Sequence, residues 1–156
     1  MARRSHDSAR RSTYRTWAVA LLCWVLLIWA HSLIQGPQSS LESGLVVELL
    51  RPLFEALGVS DADLATLIVR KGAHFSEYAV LGIISWGFFS ARLRERGRAP
   101  FPIAFLVALV PLCDEGIQLF VPGRSGQLTD VLIDLSGVCA GALLATIISS
   151  LRRRRV

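Results

Sequence analysis

Four long apolar runs dominate the chain and leave it few folds to choose from. Residues 17–34, 73–91, 101–121 and 128–151 each come close to or exceed the roughly 20 residues a helix needs to cross a bilayer at about 1.5 Å per residue. In lipid the backbone must satisfy its own polar groups, so runs of this kind become helices. Composition agrees, because 53% hydrophobic residues against 19% charged in a 156-residue chain is too apolar for a soluble domain of that size. The expected fold is all-α, a four-transmembrane-helix bundle. Residues 1–15 read as a basic tail, 16–151 as the membrane domain and 152–156 as a second basic tail. A cleaved signal peptide is the rival reading of the first run, but the run is long for one and Ala30-His31-Ser32 is a poor cleavage site. Cys23, Cys113 and Cys139 each sit alone inside an apolar run, which argues against a disulfide framework or a zinc site.

The net charge of +5 gains meaning from where the arginines fall. Thirteen of the 17 basic residues precede the first run, separate the second from the third, or follow the fourth. The other two connections hold only Arg51, Arg70, Lys71 and Arg124. This alternation predicts that both termini are cytoplasmic and that the poorly charged connections face outward. It excludes nucleic-acid binding, which needs basic residues on one folded face with aromatics between them. The first outer connection repeats leucine every four residues, at Leu41, Leu45, Leu49, Leu53 and Leu57, and so predicts an extracytoplasmic amphipathic helix between helices 1 and 2. Ser39 and Glu42 read as its capping box, Pro52 as a bend and Gly58 as its stop. The apolar face can lie on the outer leaflet or pack against the bundle. Ser60 with Asp63 reads as the cap of the next helix, starting near Asp61.

Ionisable residues at bilayer depth cost about 2.5–3.5 kcal/mol each, so they persist where they face inward and find partners. Spacings of three and four put Lys71, His74, Glu77 and Tyr78 on one side of the second long helix. Asp114, Glu115 and Gln118 close the third, and Asp130 and Asp134, one turn apart, open the fourth. Arg124, in the short Pro-Gly turn between those two helices, is in reach of the acids. The orientation drawn from arginines alone sends all these ends to the outer side. Lys71 and Arg124 face five carboxylates there, so some carboxylates must be protonated, hydrated or paired with a cation, whether a metal ion or an amine. If the cluster does chemistry, His74 or Glu77 is the candidate general base with Lys71 tuning it, and Tyr78, Asp114, Glu115, Gln118, Arg124, Asp130 and Asp134 are the candidate pocket residues. Lys71 is the only lysine beside sixteen arginines. Neither a metal-ligand set nor a cofactor is called for.

Through these residues the sequence resembles the VanZ-like family of bacterial membrane proteins. The motifs are Lys71-x-x-His74-Phe75-x-Glu77-Tyr78-x-x-Leu81-Gly82, then Asp114-Glu115-x-x-Gln118-x-Phe120-x-Pro122-x-Arg124, then Asp130-x-x-x-Asp134-x-x-Gly137-x-x-x-Gly141. Asp134 departs from the pattern, which has asparagine there. The resemblance implies a multi-pass plasma-membrane protein, in a family whose founding member is linked to low-level teicoplanin resistance. It implies no particular reaction. Three readings of the polar cluster follow. It is an outward pocket for an envelope molecule such as a lipid-linked cell-wall precursor, a scaffold holding helices together, or an ion or proton relay. The relay is disfavoured because the inner segments 85–90, 102–109 and 142–148 carry no acids.

Overall fold

In a computed structural model, which describes residues 2–97 and 101–154, the described residues form six helices and no strand. They are α1 (Ala2–Ser32), α2 (Gly36–Leu49), α3 (Arg51–Ala56), α4 (Ala62–Arg96), α5 (Phe101–Gln118) and α6 (Leu128–Arg153). Arg98 of the basic connection and Arg155 of the C-terminal tail lie outside the described residues. The all-α class is as expected, and two helical stretches, Thr13–Ser32 and Leu128–Arg153, are long and apolar enough to cross a membrane.

The helices are set in order by small residues. Gly137 and Gly141 on α6 lie against the α4 backbone, so that a Cβ at Gly141 would come within 1.9 Å of the Ala79 carbonyl and one at Gly137 within 2.5 Å of the Phe75 carbonyl. Gly82 on α4 returns the contact against the Val138 carbonyl. Small residues at such spacing let two backbones close on each other, which is how helices associate where water supplies no drive. Partner numbers rise together along this seam: Lys71 with Asp130, His74 with Asp134 and Ala79 beside Gly141. α4 and α6 are therefore parallel. Along α1 and α4 the numbers run oppositely, with Tyr14 on Phe88, Trp17 over Gly87 and the Trp24 indole N–H donating to the Glu77 carbonyl at 3.0 Å. Ile28, Tyr78, Leu81, Val107 and Val110 fill the space between the long helices.

The outside of this arrangement is as apolar as its inside. Val19 and Leu22 on α1, Leu67 on α4, Phe105 and Leu106 on α5, and Leu143 and Leu144 on α6 are all exposed. Water does not tolerate so wide an apolar surface on a monomer, whereas a lipid environment does.

The connection before α4 departs from its sequence reading in detail. α2 starts at Gly36, with Gln35 as N-cap and Pro37 in its first turn, so Ser39 and Glu42 lie inside the helix and form no capping box. A tertiary contact sets this start: Gly36 N–H donates to the Pro122 carbonyl at 3.1 Å, and its Cα lies against Gly123. The chain breaks at Leu50, just ahead of Pro52, and Gly58 ends α3 with φ of 74°. Asp61, one residue past the expected Ser60, caps α4 by accepting from the backbone of Asp63 and Leu64. The leucine face turns away from the bundle, with Leu41, Leu45 and Leu49 72%, 74% and 78% exposed. The opposite face, with Gly36 and Ser43 buried, is the one that packs.

Candidate functional site

At one end of the bundle the α4–α6 seam turns polar. Lys71 forms an ion pair with Asp130, and one turn deeper His74 Nδ1 lies 3.3 Å from Asp134 Oδ1. Both contacts follow from the parallel register, which sets residues of α4 beside those about sixty positions later. α5 delivers Asp114 and Glu115 to the same level. The Ser32 hydroxyl at the end of α1 donates to Asp114 Oδ1. Gln118 Nε2 donates to both acids at 3.3 Å, and the Gln127 backbone N–H donates to Glu115 Oε2 at 2.7 Å. Glu115 thus fastens the turn that leads into α6.

These groups are withdrawn from solvent, with Asp114, Glu115, Gln118, Asp130 and Asp134 all buried. One potential ligand atom from each of His74, Asp114, Glu115 and Asp134 lies within 4.8 Å of every other. Tyr78 is fully buried with its hydroxyl towards Asp114 and Asp134.

The three residues singled out for acid–base work have separate partners. Lys71 is taken by Asp130 and His74 by Asp134, while Glu77 Oε2 lies 3.7 Å from His31 Nδ1 on α1. Arg124 does not fold over the acids: its guanidinium donates to the carbonyls of Ile34 at 3.0 Å and His31 at 3.3 Å, closing the end of α1. That position satisfies carbonyls a helix end leaves unpaired. Burial, and then the charge of Arg70 nearby, lower Arg124 from the ordinary arginine pKa.

Beside the acidic cluster lies a cavity of about 200 Å³ between α1, α2 and α4, lined by His31, Glu42, Ser43, Val46, Arg70, His74 and Arg124 among others. Four of these, His31, Glu42, Ser43 and Arg70, are additions to the residues picked from sequence, as is Ser32 under Asp114. His31 and Ser32 had a readable signal, being polar at the outer end of an apolar run. Glu42 and Arg70 had none, since both look like surface charges of an amphipathic segment.

A model of the VanZ/LLP1 family matches residues 17–149. The chain belongs to the VanZ/LLP1 family. Its matched region runs from the first apolar residues of α1 to the last turns of α6 and takes in every residue of the polar end. No curated protein and no solved structure matches the chain with significance.

Proposed function

We propose that the chain is a four-span bacterial membrane protein with cytoplasmic termini, whose outward pocket binds the anionic group of a cell-envelope molecule such as a lipid-linked cell-wall precursor. Membership of the VanZ/LLP1 family and the apolar exterior support the membrane setting. The parallel seam supports four spans: α5 must return the chain through the full depth between α4 and α6. The observation that carries the pocket reading is the convergence of two guanidinium groups, Arg70 and Arg124, on one cavity. Glu42 is the one carboxylate among the residues lining that cavity and is shared with His31 at 3.5 Å, so two guanidinium charges facing it leave room for a further anion. Val46 lines that cavity and also belongs to the exposed apolar face of α2, so a phosphate held by the arginines would leave a lipid tail beside an apolar surface. In this reading a change in teicoplanin susceptibility follows from occupancy of such a precursor.

The test is binding in nanodiscs, with a polyprenyl phosphate titrated against the uncharged prenol and followed by native mass spectrometry. The phosphate should bind at least about tenfold tighter, as expected for one charged hydrogen-bonded contact. Arg70→Gln should remove most of that preference without unfolding the bundle, because Arg70 ties no helix end. Equal binding of the two lipids by the parent protein would refute the pocket.

A scaffold is the second reading, favoured by the way the Lys71–Asp130 and His74–Asp134 pairs each bridge α4 and α6. It leaves unexplained why Asp134 Oδ2 is buried without a partner.

A further inference from the structure

The acidic cluster behind the pocket poses a problem in charge. Asp114, Glu115 and Asp134 are 1%, 5% and 0% exposed, and among the described residues the imidazole of His74 is the group that joins them within ligand distance. Lys71 is committed to Asp130. Adjacent carboxylates in a medium of low dielectric do not all ionise without a compensating cation.

The hydrogen bonds reaching the cluster do not exhaust it. Ser32, Gln118 and the Gln127 backbone serve Asp114 and Glu115, and His74 serves one oxygen of Asp134. Asp134 Oδ2 remains buried and unpartnered. The hydroxyl of Tyr78, a 0% exposed side chain outside the cluster, faces it with Asp114 and Asp134 nearest. Buried polar atoms are satisfied almost without exception, and an orphaned carboxylate oxygen on a fully buried side chain among three acids indicates a missing occupant.

We infer that His74, Asp114, Glu115 and Asp134 bind a divalent first-row transition ion, with the Tyr78 hydroxyl oriented towards its coordination shell. The donor set is one imidazole nitrogen and three carboxylate oxygens. Mg²⁺ and Ca²⁺ prefer oxygen alone, while an imidazole favours zinc or iron, and the three carboxylates also suit manganese. The space is also suitable. Bonds of about 2.1 Å set opposite ligands of an octahedral ion about 4.2 Å apart, so the present cluster needs to tighten by about half an ångström. A divalent charge offsets most of the three carboxylates. Because His74 belongs to both the cluster and the cavity wall, the ion would sit directly behind the pocket. The ion site stands apart from the pocket reading, since its occupancy is measured with no envelope molecule present.

The experiment uses the full chain in detergent, stripped with chelator and then titrated separately with Zn²⁺, Mn²⁺, Mg²⁺ and Ca²⁺ by calorimetry and thermal melting. Zn²⁺ or Mn²⁺ should bind at one ion per chain and raise the melting temperature, while Mg²⁺ and Ca²⁺ at the same concentration should not. Asp134→Asn and Glu115→Gln should each weaken binding at least about tenfold, and Glu48→Gln, at an exposed acid of α2, should change nothing. If the cluster variants fail to fold, electron spin-echo spectra of the Mn²⁺-loaded parent protein still decide, because coupling to one imidazole nitrogen is required. Absence of saturable transition-ion binding, binding undiminished in both folded variants, or no nitrogen coupling would overturn the assignment in favour of protonated carboxylates.

Discussion

Asp130 depends on Lys71 more than Lys71 depends on it. The lysine side chain keeps 28% of its surface exposed and can reach water, while the aspartate side chain keeps 6%. Lys71→Met should therefore strand a buried carboxylate and lower stability by roughly 2–3 kcal/mol, somewhat less than for a fully enclosed pair. Adding Asp130→Asn removes the stranded charge, so the double variant should recover most of the loss. Thermal melts of the three proteins in one detergent check this, and a double variant no more stable than Lys71→Met would show that the pair contributes only volume. Which acid Lys71 pairs with was not readable in the sequence. Spacing places it on a face of α4 but says nothing of the offset between α4 and α6, and a shift of one turn would have joined it to Asp134 instead. The same limit hid the role of Arg124, whose guanidinium meets the end of a helix more than ninety residues earlier in the chain.

Among the helices, the α4–α6 seam fixes that offset, and its glycines were legible. Gly137 and Gly141 announce a close helix contact by spacing alone, though the partner and the reciprocal Gly82 needed coordinates. α2 shows the opposite case: Ser39 and Glu42 carry the letters of a capping box, but the helix starts earlier because Gly36 is pinned to Pro122. Local signals were overridden wherever a distant backbone supplied the hydrogen bond. Two substitutions separate packing from propensity. Gly141→Val would drive its Cβ into the Ala79 carbonyl and should destabilise the protein by at least about 2 kcal/mol, lowering the yield of folded protein in the membrane. Gly72→Ala meets nothing within 4 Å and should gain up to about 1 kcal/mol from helix propensity. Comparable losses at both positions in detergent melts would mean that the seam is not the close contact described.

The molecule as a whole is polarised along its long axis. One end gathers His31, Ser32, Lys71, His74, Glu77, Asp114, Glu115, Asp130 and Asp134 from four helices, while the middle of each long helix presents apolar side chains in and out. The exposed leucines of α2 lie at the polar end, where an interfacial helix would rest its apolar face on a leaflet. Which side of the membrane this end occupies is predicted from the arginines, whose bias leads us to expect Arg152, Arg153 and Arg154 inside and the turn at Arg124 outside. Ser125 and Ser150 are exposed near these two ends and serve as reporters. With Cys23, Cys113 and Cys139 replaced by alanine, a membrane-impermeant maleimide applied to intact cells should modify a Ser125→Cys variant and leave Ser150→Cys untouched until the cells are opened. The reverse pattern would put the cavity and the acidic cluster in the cytoplasm, out of reach of any precursor on the outer leaflet. Modification of both variants on intact cells would instead give α6 no membrane to cross, contradicting the parallel course of α4 and α6 through a single bilayer.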